Sequence, residues 1–296
     1  MQVSSYLKLS VAVAVATIAL KTGAWWLTDS VGLLSDALES LVNLAGAMFA
    51  LTMVTVAAQP PDDDHPYGHH KAEYFSSGFE GVLILVAALA IMAAAVHRAF
   101  NPQPLEQLGL GLALSVVSSA MNGALAWAML RKAREHRSMA LEGDARHLFT
   151  DVWTSAGVVA GLLAVQATGW LWLDPVIAIA LAANIAREGV LLVWRSAHGL
   201  MDQALEPEVR ADIDRTLAEF AVHTIRFDHV VTRRAGARRF VDLHMHMPAA
   251  WTLGRAAAVR TSVEQALMAA VPGLRATIQL LPMDVEAHFD DQKDPL

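Results

Sequence analysis

The chain contains no cysteine, which excludes a disulfide framework, a thiolate metal site and a cysteine nucleophile. Charge is scarce too: 17% of the 296 residues are Asp, Glu, Lys or Arg, against about 25% in a soluble globular chain. The scarcity is uneven. Residues 1–200 carry 26 charged residues (13%), whereas residues 201–296 carry 25 (26%). The first two thirds therefore read as membrane-embedded and the last third as a small soluble domain. A net charge of −7 gives no electrostatic footprint for a nucleic-acid partner. Neither a Gly-x-Ser-x-Gly nor a His-Glu-x-x-His pattern occurs, so an intramembrane hydrolase has no recognisable nucleophile or base.

What is present is long apolar runs. A spanning helix needs about 20 mostly apolar residues. That ruler predicts six spans, Leu7–Thr28, Val31–Ala58, Phe75–Phe100, Leu105–Leu130, Leu148–Gly169 and Trp172–His198. Breaks fall at Asp29-Ser30, at the polar stretch Gln59–Pro66, at Asn101–Pro104, in the basic run Arg131–Arg146 and at Gly169–Asp174. The first run is too long for a cleaved leader and carries Lys21 in its middle. Six spans put both termini on one side. Lys8, Lys71, Arg131, Lys132, Arg134, Arg137 and Arg146 lie on one set of loops and only Arg98 on the other. The positive-inside rule then makes both termini cytoplasmic. Trp25, Trp26, Trp170 and Trp172 fall at outer ends, as an aromatic belt requires, although core packing would explain any one of them.

Some polar residues sit inside these spans. The second carries Asp36, Glu39 and Asn43, and the fifth opens with Asp144, His147 and Asp151. Steps of three and four residues put each trio on one helix face. The two stretches match in spacing, which fits either a symmetry of two halves or chance. An Asp at the centre of a spanning helix costs about 3 kcal/mol on insertion scales. Taken singly, each residue reads as a cap or a snorkelling side chain. Taken as two i/i+4 pairs, Glu39, Asn43, His147 and Asp151 offer one nitrogen and three oxygens to a divalent cation, a plausible four-coordinate site. Asp36 and Asp144, one turn before each pair, read as groups supporting the ligands, as acids on a water path, or as charges at helix starts. The loop Asp62-Asp63-Asp64-His65-Pro66-Tyr67-Gly68-His69-His70-Lys71 offers Asp62, His65 and His69 as a second set; its alternative is a solvated acidic turn.

These residues carry a resemblance. Ser35-Asp36-Ala37-Leu38-Glu39-Ser40-Leu41-Val42-Asn43, the loop from Pro61 to Glu73, and His147-x-x-x-Asp151 together resemble the cation diffusion facilitator family over nearly the whole chain. The resemblance implies a homodimeric exporter in a bacterial inner membrane that exchanges a divalent metal for protons. It puts the intramembrane site on Glu39, Asn43, His147 and Asp151, the loop site on Asp62, His65 and His69, and a salt bridge at the dimer interface on Lys71 and Asp202. The family more often has Asp or His at position 39 and Asp at 43. Glu and a neutral amide stand here instead, with one formal negative charge fewer and a longer carboxylate arm.

After about Pro207 the pattern predicts helix Pro207–Phe220, strand Thr224–Arg233, strand Arg239–Met247, helix Leu253–Ala270 and strand Arg275–Leu281, with a hairpin turn at Ala235-Gly236-Ala237. That order implies a small α+β unit with helices on one face of a sheet. It is similar to the ferredoxin-like tail of the resembled family, which dimerises and can bind regulatory metal. His244 and His246 alternate on a strand and project from one face. With Asp228, and His229 beside it, they form a possible metal site; the alternative is polar surface on an edge or solvent face. Ala257 and Gln279 stand where the resembled tail often has His. The expected organisation is a transport domain over 1–203, a dimerisation and regulatory domain over 204–284 and an acidic tail over 285–296.

The expected function is metal/proton antiport by alternating access, with zinc, manganese, iron or cobalt as cargo and membrane lipid, protons and a second copy as partners. The competing class is a non-transporting scaffold or metal sensor whose tail dimer responds to metal.

Overall fold

A computed structural model describes residues 3–136, 139–222, 224–236 and 238–285, without the side chains of residues 3–8 and 133–144. The side chains of Lys8, Arg134 and Asp144, together with Arg137, Ala237 and the acidic tail from residue 286, lie outside the described residues. Six long helices come first: α1 (Val3–Thr28), α2 (Val31–Ala57), α3 (Ala72–Phe100), α4 (Leu108–His136), α5 (Met139–Thr168) and α6 (Leu173–Leu200). Each contains a stretch long and apolar enough to cross a membrane. The helices end where the chemistry demands. Asp29 closes α1 in the left-handed region at φ 54°, and Gly169 does so after α5 at φ 72°.

Helices and predicted spans differ by a few residues at most ends, and by more between α4 and α5. The fifth helix begins at Met139 rather than Leu148, and α4 runs on to His136. The basic run is thus largely helical instead of a loop. Charge keeps Arg, Lys and Glu out of hydrocarbon, but these residues are good helix formers, so the helices outlast their spans.

The chain divides into two compact units, residues 1–52 with 76–194, and residues 53–75 with 195–296. In the first, α1, α2, α4 and α5 share a core around Ala24, Leu33, Leu112, Val158 and Leu162. A second core joins α3 to α6 through Ala88, Ile91, Ala95, Ala178, Ala182 and Ile185, with Val31 of α2. Small residues let α3 and α6 approach closely. A Cβ on Gly81 would lie 3.0 Å from the Gly189 carbonyl oxygen, and one on Gly189 would lie 3.1 Å from that of Gly81. The start of α2 is held by α6. Asp174, 2% exposed, accepts hydrogen bonds from Ser30 Oγ (2.6 Å), Val31 N–H (3.0 Å) and Gly32 N–H (3.2 Å), meeting orphan donors of the first turn.

The second unit contains α7 (Pro207–Phe220), β1 (Arg226–Ala235), β2 (Arg238–Met247), α8 (Leu253–Ala270) and β3 (Leu274–Pro282). Pro207 opens α7, and Thr252 caps α8 by accepting from the Arg255 N–H. The sheet order is β1-β2-β3, antiparallel then parallel. Alternate residues Val241, Leu243 and Met245 of β2 pack with Ile213 and Leu217 of α7 and Val263 and Leu267 of α8. Both helices therefore cover one face, as the element order implied. The hairpin turn holds Gly236 at φ 56°, where any Cβ would strike the His70 carbonyl oxygen. Glycine is required there.

Candidate metal sites

Three clusters follow from this arrangement. In the first unit, the 3.6-residue period turns Asn43 of α2 and His147 and Asp151 of α5 onto one cavity of about 250 Å³, which Ser40 and Asn122 also line. Asp151 is buried and His147 half-exposed, with His147 Nε2 4.0 Å from Asp151 Oδ2. Glu39 lines a neighbouring crevice that shares Asn43 with this cavity. Three of the four expected ligands thus line one space, and the fourth stands at its side.

Asp36 has a partner that the sequence reading missed. Lys21 Nζ lies 2.8 Å from Asp36 Oδ1 and donates to Ser40 Oγ at 2.8 Å, while Ser155 Oγ donates to the same carboxylate. Both charged side chains are 1% exposed. A lysine in the middle of an apolar span is the signal that would have found it, since such a charge needs a counter-charge on a neighbouring helix. On α4, Ser115, Ser118 and Ser119 Oγ and Asn122 Oδ1 are buried without a protein hydrogen-bond partner.

In the second unit, Asp62, His65 and His69 bring their ligand atoms within 4.8 Å of one another. The His65 N–H donates to Asp62 Oδ1 at 2.6 Å. That bond, aided by the two imidazoles, holds the Asp62 carboxyl below its ordinary range. His69 Nε2 lies 3.3 Å from Asp62 Oδ2, and its other ring nitrogen is buried without a partner. Just past this loop, Lys71 Nζ donates to Asp202 Oδ2 at 3.0 Å and to the Leu200 carbonyl, and Arg233 reaches Asp202 Oδ1 at 3.3 Å. The expected Lys71–Asp202 salt bridge thus forms within one chain.

Asp228, His244 and His246 form the third cluster, again with ligand atoms within 4.8 Å. The two histidines are not surface residues. They sit on the central strand, 6% and 1% exposed, which removes the edge-strand alternative. A bulge between Asp228 and Val231 puts His229 at φ 48° and stacks its ring on His244, centroids 4.7 Å apart. His246 Nδ1 lies 3.3 Å from the Pro282 carbonyl oxygen. Its Nε2 faces the Asp228 carboxylate at 3.0 Å. The donor set of two imidazoles and a carboxylate suits a borderline divalent metal.

Comparisons with known proteins agree with this architecture. The cation efflux transmembrane domain matches residues 7–201 and the cytoplasmic domain of cation efflux proteins matches residues 205–283. A Synechocystis protein named uncharacterized transporter sll1263 is 44% identical over 279 residues, spanning 94% of this chain and 90% of that one. The cation-efflux pump FieF of Klebsiella pneumoniae is 28% identical over 278 residues, 93% of this chain and 91% of its own. The FieF of Shewanella oneidensis is 27% identical over 279 residues, covering 94% of each.

Proposed function

The chain belongs to the cation efflux, or cation diffusion facilitator, family, and from that premise we propose that it exports a divalent transition-metal cation in exchange for protons by alternating access. It is an integral membrane protein that moves metal cations rather than an enzyme. The observation that carries the reading is the cavity lined by Asn43, His147 and Asp151 on helices long and apolar enough to cross a membrane. Ionisable groups cost several kcal/mol at such depth, and a cation between α2 and α5 offsets that cost. Glu39 supplies the fourth donor from its neighbouring crevice. An imidazole must be neutral to ligate, so proton arrival at His147 competes with metal. Facing the cytoplasm, the site releases protons and takes the cation; facing outward, higher proton activity displaces it. Three oxygens and one nitrogen favour manganese, iron, cobalt or zinc over copper(I).

In this reading residues 1–203 form the transport domain, and Asp62, His65 and His69 capture cytoplasmic metal and pass it on. Residues 204–284 pair two copies, with Asp228, His244 and His246 holding a regulatory metal. Both termini are cytoplasmic in an inner membrane. The test is metal-dependent proton flux in proteoliposomes. We expect flux with wild type and its loss in His147→Ala and Asp151→Ala; full flux in both variants would sink the assignment. The buried tail triad favours one competing reading, a metal sensor that transports nothing. Metal binding confined to the tail, with no flux, would establish that instead.

A further inference from the structure

We propose that Asn122 on α4 is an additional cargo ligand of the intramembrane site and biases it towards cations of higher coordination number. The inference rests on the transport reading above. Helix α4 buries one face, and Leu112, Leu125, Ala126 and Met129 of that face are apolar. Ser115, Ser118, Ser119 and Asn122 interrupt it at steps of three and four residues. All four side-chain oxygens are buried without a protein partner, although buried polar atoms are nearly always paired and hydrocarbon supplies no donor. Serine hydroxyls both donate and accept, so water alone can satisfy them. The amide oxygen only accepts.

The surroundings of Asn122 bring it among groups that bind cations, beside the hydroxyls of Ser10, Thr17 and Ser40. It is 3% exposed and lines the cavity that Asn43, His147 and Asp151 line. Those neighbours contribute an amide, an imidazole and a carboxylate, all of them lone-pair donors to a cation. Helices α2 and α5 approach the cargo from two sides, and Asn122 adds a third. With Glu39 the site then has four oxygens and one nitrogen. Zinc is satisfied by four ligands in a tetrahedron, whereas manganese and iron take larger, oxygen-rich shells. The fifth protein donor therefore favours the latter. The serines at 118 and 115 continue the polar face along α4 towards the helix start at Leu108, a hydrated track for the departing ion.

The test uses the full chain in proteoliposomes, with Mn²⁺ and Zn²⁺ as cargo, comparing wild type with Asn122→Ala and Asn122→Asp. We expect the alanine variant to raise KM for Mn²⁺ about tenfold while Zn²⁺ changes by less than about threefold. The aspartate variant, which keeps an oxygen, restores Mn²⁺ transport. A second readout is the visible absorption of Co²⁺ bound to the purified chain. The loop and tail sites are unchanged between variants, so the difference spectrum reports on this site. Loss of Asn122 lowers the coordination number and intensifies the cobalt bands. An equal loss of both ions in Asn122→Ala with unchanged cobalt bands would overturn the proposal and leave Asn122 a packing residue. If wild type moves no ion, the transport reading falls alone, and the cobalt spectrum still decides the ligand: unchanged bands reject it.

Discussion

At the scale of single residues, the helical unit buries a charged pair, Lys21 and Asp36, at 1% exposure each. Each charge is tolerated only because the other is present, at 2.8 Å and with Ser40 and Ser155 completing the shell. Lys21→Met leaves Asp36 alone in an apolar interior, and breaking such a pair costs about 3–5 kcal/mol. The double variant Lys21→Met/Asp36→Leu removes both charges and recovers most of that loss. Thermal unfolding of the two variants in detergent measures the difference; equal destabilisation of single and double variants would refute the account. Helical spacing in the sequence was enough to bring Asn43, His147 and Asp151 onto one cavity, while Glu39 lines the crevice beside it. The Lys21–Asp36 pair was not legible in that spacing, since it joins residues 15 apart across two helices. Nor was Asn122, whose significance comes from what surrounds it on α2 and α5.

Elements show where local signals suffice. The bounds of α7 and α8 were readable to the residue because Pro207 and Thr252 mark their starts chemically. The apolar span of α5 begins at Ala145, close to the expected Leu148, whereas its helix begins at Met139, because a hydropathy ruler finds where a helix stops being apolar, not where it ends. The burial of His244 and His246 was also hidden, because a strand's sequence does not say whether it is central. At the start of α2, the cap comes from Asp174, more than 140 residues away. Asp174→Ala removes three hydrogen bonds to that turn and should cost about 1–2 kcal/mol. Hydrogen exchange is the measurement: amides of Val31 and Gly32 should lose protection while the middle of α2 keeps it. Unchanged protection at those amides would mean that packing alone holds the turn.

For the molecule as a whole, the second unit is joined by a charge link between distant stretches of sequence, Lys71 and Arg233 on Asp202. Burial raises the Asp202 carboxyl, but the hydrogen bond and charge of Lys71, followed by Arg233, outweigh it and hold the group below its ordinary value. A carboxyl lowered by folding stabilises fully above its unfolded pKa of about 3.9. That contribution is lost as pH falls through the lowered value. Exchange at residues 69–74 should therefore rise with acidification below about pH 4 in wild type. Asp202→Asn should show raised exchange already at neutral pH and a weaker acid response. An identical pH profile in both proteins would remove the link from the account.

The contact of α3 with α6 has a mechanical consequence. At Gly81 and Gly189 the two backbones come close, and only Val193, Ile84 and Leu85 reach across with side chains, so that stretch of the seam has few side chains to disengage before one helix passes along the other. Shear, the small sliding of packed helices, then requires repacking of those three aliphatic side chains alone at this point, while separation forfeits the whole close contact. Such a seam acts as a slide rather than a hinge, stiff against prying and compliant along its length.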